Sequence, residues 1–327
     1  MRILIVGGTR FIGRHLLEKA SLRGDQVTVF HRGSTPLPEQ FAGVKEIIGD
    51  RKQIGDLRQA AACDYDAIID TVIYSPDEAE QAVDVFSGRA GHYVMISTGN
   101  VYKLDRLPGP YRESDPLEDD PQFAYGYNKR CAEDVLFAAH QERQFPAVAL
   151  RMPSIYGPWD YQAREWYFIK RLLDGRTRFL LPDAGLGVFH REYAGNIANQ
   201  LLCLISTPAS RGEAYNAGHR QFQTCAQLLQ MAARSLKREI EIFTLPRAEM
   251  PWSIALSPGL VYYQTTDKLA SIGYNEQVDL LAGWERTFDF YRANPVLDWQ
   301  FQRRSEVDLF DYAREDELIR SKGVLIC

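Results

Sequence analysis

The stretch Met1-Arg-Ile-Leu-Ile-Val-Gly-Gly-Thr-Arg-Phe-Ile-Gly13 decides how this chain is read. Residues 2–6 are a short run rich in branched apolar side chains, the length of a buried strand in a parallel sheet. Gly7, Gly8 and Gly13 then break the strand and open a helical pattern that runs to about Arg23. Such a turn lets backbone N–H groups and the positive end of a helix face a pyrophosphate with no side chain between them. Glycines alone also make ordinary tight turns; the strand before and the helix after are what point to a dinucleotide. Thr9, Arg10, Phe11 and Ile12 complete the turn and are expected beside the same ligand.

Working outward, apolar runs at 26–30, 44–48, 66–70, 92–96 and 147–151 read as further strands. Helical patterns at 53–62, 77–86 and 123–143 separate them. This alternation predicts an α/β fold, a Rossmann-like doubly wound parallel sheet. Ligands of such sheets bind beyond the carboxyl ends of the strands. Gly7–Gly13, His31–Arg32, Asp50–Arg51, Asp70–Thr71 and Ser97–Thr98 should therefore face one cleft. Residues 103–122 hold four prolines and many charges and read as a surface loop. The rhythm loosens after Pro153, so the expected division is a nucleotide-binding domain over 1–152 and a smaller substrate domain over 153–295. Some segments of the second are expected to return to the sheet. A charged tail follows over 296–327, with an amphipathic helix near Val307–Ile319 that could cover the cleft or bridge subunits.

With 38 basic and 43 acidic residues the net charge is −5, which gives no general pull toward nucleic acid or an anionic membrane. No apolar run approaches the ~18 residues of a membrane span. The first residues read as a strand rather than a secretory leader. The five cysteines are odd in number and scattered, as free thiols in a reducing compartment would be. A cytoplasmic location is expected. No His, Cys and carboxylate cluster has metal-ligand spacing, so no metal is expected.

The chemistry-bearing helix start is Tyr125-Gly-Tyr-Asn-Lys129. A tyrosine and a lysine four apart share one helix face. A lysine beside a phenol favours the phenolate, making the tyrosine able to take and give a proton. A hydroxyl from a neighbouring strand end would complete the site, and Ser97 and Thr98 stand where the fifth strand ends. The bland reading of Tyr-x-x-x-Lys is a solvated helix face; its place downstream of a nucleotide turn and a strand-end Ser-Thr argues otherwise.

At this point the sequence resembles the extended short-chain dehydrogenase/reductase family, the NAD(P)-dependent epimerase/dehydratase group. The resemblance rests on the Gly7–Gly13 turn, Ser97-Thr-Gly-Asn-Val-Tyr102, Tyr125–Lys129, Arg151-Met-Pro-Ser-Ile-Tyr-Gly-Pro158, Ala214-Tyr-Asn-Ala-Gly218 and Thr266–Tyr274. It covers roughly residues 1–293. It implies Tyr125 as the catalytic acid/base and Lys129 as the residue that holds the nicotinamide ribose. Thr98 would hydrogen-bond the reacting oxygen, Ser97 standing one place too early. Hydride would pass between a nicotinamide and a carbonyl or carbinol carbon of a small-molecule substrate. Pro153 and Ile155 would lie against the cofactor and Ser154 against substrate. By analogy with many relatives, the Tyr125 helix would pair with its mate in a homodimer.

Departures from the family pattern narrow this expectation. Its dehydratases carry an Asp-Glu pair directly after the catalytic Thr; here those positions are Gly99 and Asn100, which disfavours a 4,6-dehydratase. The central glycine of the nucleotide fingerprint is Arg10, a variant resembling a branch that includes chloroplast stem-loop RNA-binding proteins. Where nucleotide-sugar enzymes commonly keep an Asn, this chain has Ser154, and their diphosphate-gripping Arg falls near Phe189. A smaller or non-nucleotide substrate is therefore an open alternative. His190 could orient a ligand or be a loop histidine without duty. Trp159, Tyr161, Trp166, Tyr167 and Phe168 could line a pocket or be core.

Cofactor choice turns on the exit of the second strand. An acidic residue there would bind the ribose of NAD. This chain offers His31 and Arg32, with Arg10 on the adjacent turn, and guanidinium groups suit a 2′-phosphate. NADP(H) is favoured over NAD(H), with a solvated Arg32 as the alternative. Asp50 could meet the adenine amino group, cap a helix, or do both; Arg51 and Thr71 are expected nearby. The leading expectation is an NADP(H)-dependent reductase or dehydrogenase, with a sugar epimerase as its close variant. An RNA-binding protein or a nucleotide sensor on the same fold are alternatives of another class.

Overall fold

The branched apolar runs become strands β1 (Arg2–Val6), β2 (Gln26–His31), β3 (Lys45–Ile48), β4 (Ala67–Asp70), β5 (Tyr93–Thr98) and β6 (Ala147–Met152). Helices α1 (Phe11–Leu22), α2 (Ile54–Ala60), α3 (Pro76–Phe86) and α4 (Ala124–Arg143) lie between them. The computed structural model describes residues 1–103, 109–252, 261–275, 278–296 and 308–326. Part of the expected 103–122 loop, residues 297–307 of the tail and Cys327 lie outside the described residues.

A seventh strand, Glu213–Asn216, joins the sheet, whose order is Glu213–Asn216, β6, β5, β4, β1, β2, β3. Every pairing is parallel. From β1 the chain works outward to β3 and then returns to the other side as β4. The direction therefore reverses between β1 and β4, the position where open α/β sheets bind ligands. Alternation along β1 sends Ile3 and Ile5 into one apolar layer with α1 and the helix Ala194–Ile205. Leu4 and Val6 enter the other, under α2, α3 and α4. All four are fully buried, worth roughly 1.5–3 kcal/mol apiece.

The chain divides into two compact units. The first comprises Met1–Ile155, Ala194–Gly218 and Gln264–Gln277; the second comprises Tyr156–Tyr193, His219–Tyr263 and Val278–Cys327. The second unit has its own core, where Phe168 and Leu172 meet Leu228, Leu229, Trp284 and Phe288. Its sheet pairs Arg178–Pro182 in parallel with Glu241–Leu245, which Val324–Leu325 joins in antiparallel fashion. Sequence reading placed neither the strand Arg178–Pro182 nor the helices Cys225–Ser235 and Leu280–Ala293. Trp166, Tyr167 and Phe168 belong to this core, whereas Tyr161 is exposed.

The helix of the tail is Tyr312–Lys322, capped by Asp311, and it belongs to the second unit. Glu315, 1% exposed, lies 3.6 Å from both Arg171 and Arg176 and accepts the Leu180 N–H at 3.0 Å. Ile319 is buried with Leu180, Phe243 and Leu245. Among the described residues no helix is long and apolar enough to cross a membrane, no metal-ligand cluster occurs, and Cys63, Cys131 and Cys203 are free thiols.

Candidate active site

The first turn is built as its glycines predict. Gly7 and Gly8 take φ of +95° and +97°, a region that side chains resist. A Cβ on Gly7 would come within 2.1 Å of Thr71 Oγ1, and one on Gly13 within 2.1 Å of the Gly8 Cα. Glycine at 13 thus lets α1 start against the backbone of the turn. Arg10, the residue before α1, gives the helix no side-chain cap; its carbonyl accepts the Gly13 N–H at 2.9 Å, and such a helix start suits an anion. Phe11 has φ of +35° and is buried beside His15. Thr9 is buried and Ile12 half-buried.

Thr71 clasps the switch point: its N–H and its hydroxyl both donate to the Val6 carbonyl at 2.9 Å. His31 is the last residue of β2, not part of its exit. Its Nδ1 accepts the Gly33 N–H at 3.2 Å, so Nε2 carries the proton toward Glu46 at 2.7 Å. The ring shapes the turn that carries the exposed Arg32. Arg10 reaches the same turn, donating from Nε to Thr35 Oγ1 at 3.0 Å. Two guanidinium groups therefore stand at the exit of β2.

Asp50 caps no helix; the residue before α2 is Gln53. Asp50 instead folds a local turn, its Oδ1 accepting the Lys52 N–H at 3.0 Å. Arg51 turns inward and is 5% exposed. Its Nη2 donates to the Glu78 carbonyl at 2.6 Å and lies 3.2 Å from Asp70. It holds the β4–α3 connection, where Asp70 also accepts the Tyr93 hydroxyl at 2.8 Å.

The first unit places Thr98 at the end of β5 and Tyr125 and Lys129 on α4. Lys129 is 2% exposed and donates to the Ile96 carbonyl at 2.7 Å, two residues before Thr98 on the same strand. That bond locks the helix face carrying Tyr125 to the strand end carrying Thr98. Burial pulls the Lys129 ammonium down to about 8, against the opposing pull of the Asp70, Glu133 and Glu78 carboxylates. Thr98 Oγ1 accepts the Asn100 N–H at 3.2 Å, which leaves its O–H to donate. Tyr125, in the first turn of α4, is half exposed. Pro153 and Ser154 are half-buried and Ile155 buried just after β6.

Sequence reading missed the polar network under this site. Ser97 points away from Thr98 and donates to Glu133 Oε1 at 2.5 Å. Glu133 grips Arg151, and Arg151 Nη1 donates to the Tyr102 hydroxyl at 3.1 Å. Tyr102 donates in turn to Asn216 at 2.6 Å. One signal was present: Glu133 is four residues after Lys129, hence on its helix face.

His190 lies in the second unit, between two short strands rather than on an open loop. It is 1% exposed, its Nε2 is 2.7 Å from the His219 carbonyl, and burial lowers its pKa to about 4. Arg191 beside it is 3% exposed and paired with the buried Glu165 at 2.6 Å.

Residues 3–218 match the model of the NAD dependent epimerase/dehydratase family. The chain belongs to that family. It is 27% identical over 248 residues to the chloroplast stem-loop binding protein of 41 kDa b of Arabidopsis thaliana, across 72% of this chain and 63% of that one. It is 24% identical over 207 residues to the dTDP-D-glucose 4,6-dehydratase of Mus musculus, across 62% and 56% of the two chains. The matches thus span less than two thirds of these relatives' own length. Among solved structures, dTDP-glucose 4,6-dehydratase of Bacillus anthracis in complex with NAD superimposes with a TM-score of 0.72 at 18% identity, over 90% of this chain and 97% of that one. That likeness speaks for the fold.

Proposed function

We propose that this family member is a nicotinamide-dependent reductase or dehydrogenase with NADP(H) as its preferred cofactor. The observation that carries the reading is the buried Lys129 ammonium, held on the Ile96 carbonyl so that the Tyr125 helix face and the Thr98 strand end are joined. The glycine turn suits a pyrophosphate, because it has no Cβ in the way and an uncapped helix start behind it.

In this reading the Gly7–Gly13 turn would hold the pyrophosphate, Arg10 and Arg32 a 2′-phosphate, Asp50 the adenine, and Lys129 the nicotinamide ribose. Pro153 and Ile155 would flank the ring. The nicotinamide supplies or accepts the hydride when bound. Tyr125 would give or take the proton at the substrate oxygen. Thr98 donates a hydrogen bond to that oxygen, and Ser154 offers a polar contact to the substrate.

An epimerase would use the same residues, and net cofactor turnover separates the two. Dehydration competes, since 4,6-dehydratases are among the relatives; against it stand Gly99 and Asn100, neither of which exchanges a proton usefully.

The test is a fluorescence titration of NADPH and NADH against wild type and Arg32→Ala. NADPH should bind more tightly, and the variant should lose about tenfold in NADPH affinity with little change for NADH. If neither nucleotide binds, the oxidoreductase reading falls. Salt-dependent binding of an RNA stem-loop, suggested by the Arg10 turn and the plant relative's name, then becomes the reading to test.

A further inference from the structure

We propose that Tyr74 controls how a nicotinamide ribose reaches Lys129, and so sets the dinucleotide affinity of the site. The inference rests on the cofactor reading above but concerns a residue that reading does not use. The Tyr74 ring lies over the Lys129 ammonium, 4.6 Å from ring centroid to Nζ. An ammonium has three N–H bonds. One goes to the Ile96 carbonyl, and the face toward Tyr74 meets the aromatic π cloud. A ribose diol held by two hydrogen bonds needs the face that the ring occupies.

The backbone beneath Tyr74 is fixed while its side chain is not enclosed. Thr71 is bonded to Val6, the Val72 N–H donates to Asp70 Oδ1 at 2.9 Å, and the Tyr74 N–H donates to Glu78 Oε2 at 2.6 Å. Glu78 is held in turn, its N–H donating to Ser75 Oγ at 3.3 Å. The anchor therefore stays put. The ring itself is 49% exposed although the ammonium beneath it is 2% exposed. Dinucleotide binding must break the contact between ring and ammonium, and the cost appears as weaker affinity for anything that carries the nicotinamide ribose.

The experiment compares wild type, Tyr74→Ala and Tyr74→Phe in titrations with NADPH, NADH and adenosine 2′,5′-bisphosphate. The bisphosphate carries the adenine end but no nicotinamide ribose. Tyr74→Ala should tighten dinucleotide binding about threefold or more and leave the bisphosphate unchanged. Tyr74→Phe keeps the ring and should bind like wild type. An equal melting midpoint for the three proteins checks that folding is not the cause. Weaker or unchanged dinucleotide binding in Tyr74→Ala overturns the proposal, as does an equal shift for the bisphosphate. If the bisphosphate binds all three proteins and the dinucleotides bind none, Tyr74 is not the barrier and this proposal fails alone. If nothing binds any of them, the cofactor reading fails with it.

Discussion

Glu133 grips Arg151 with both carboxylate oxygens, Oε1 lying 3.2 Å from Nε and Oε2 2.7 Å from Nη2. Glu133 is 1% and Arg151 3% exposed, so each neutralises a charge that water does not reach. The pair joins α4 to β6, and the Ser97 hydroxyl adds β5. Breaking such a pair from one side leaves a buried charge alone. Glu133→Ala should therefore cost about 3–5 kcal/mol, whereas replacing both residues with leucine should cost less, about 1–3 kcal/mol, for the buried Ser97 hydroxyl left without its acceptor. Urea unfolding of the single and double variants checks this; a single-variant loss below about 1 kcal/mol would sink it.

Gly126, next to Tyr125, is where α4 touches the turn that follows Thr98. A Cβ there would lie 2.0 Å from the Asn100 carbonyl oxygen, backbone that cannot swing aside. Gly126→Ala should lower stability by roughly 1–3 kcal/mol and push Tyr125 off register with Thr98. Gly55→Ala in α2 meets nothing within 4 Å and should be neutral or stabilising by up to about 1 kcal/mol. Melting midpoints with dinucleotide binding on both variants make the comparison, and equal behaviour would refute it.

Lys129 gives the site a pH dependence with a defined sign. Burial lowers its pKa from the ordinary value of 10.5 to about 8, so the ammonium is complete below pH 8 and lost above it. Dinucleotide affinity should hold below pH 8 and fall as pH rises through it, by at most about tenfold per unit. Between pH 8 and 10.5 the unfolded chain binds the extra proton, so this residue's contribution to stability rises with pH there. Titrations from pH 6.5 to 9.5 on wild type and Lys129→Met would show a sloping and a flat profile (the range is chosen to bracket the pKa of about 8). A flat wild-type profile contradicts the assignment.

Arg171 is the reason the C-terminal helix matters to the second unit. It is 1% exposed, its guanidinium lies 3.7 Å from the Tyr167 ring, and Glu315 is its buried counter-charge. Glu315→Ala should cost about 3–5 kcal/mol, and removing the chain from residue 308 onward should cost more by exposing Leu180 and Phe243. Near-ultraviolet circular dichroism during thermal unfolding would report the loss. An unchanged spectrum and midpoint after truncation would show the tail to be dispensable.

The sheet was legible in the sequence because its signals are local. Branched apolar runs, glycines at the strand ends and helical periodicity between them depend on neighbours a few residues apart, and they placed β1 to β6 and α1 to α4 within a few positions. The places of Thr98 at a strand end and of Tyr125 and Lys129 on one helix were legible for the same reason. The second unit was legible only in part. Its core draws on separate stretches such as 166–173, 225–235 and 280–293, and none of them announces its partners.

Tertiary structure decided the fate of individual polar groups. Ser97 and Thr98 are neighbours in sequence, yet strand alternation sends Ser97 to Glu133 and leaves Thr98 with Asn100. Arg51 follows Asp50, yet it is buried against Asp70 and Glu78. His190, readable as a loop residue, is enclosed and neutralised by burial. Tyr74 gave no signal of its own, because only the packing of the β4–α3 connection on α4 brings its ring to Lys129. The sequence by itself determined the layers, the glycine turn and the spacing of Tyr125 and Lys129, since each follows from local pattern and the period of a helix or strand. Which charges pair, which are buried and which side chain covers the lysine depend on contacts between residues far apart in the chain, and those exist only once the sheet has closed on its helices.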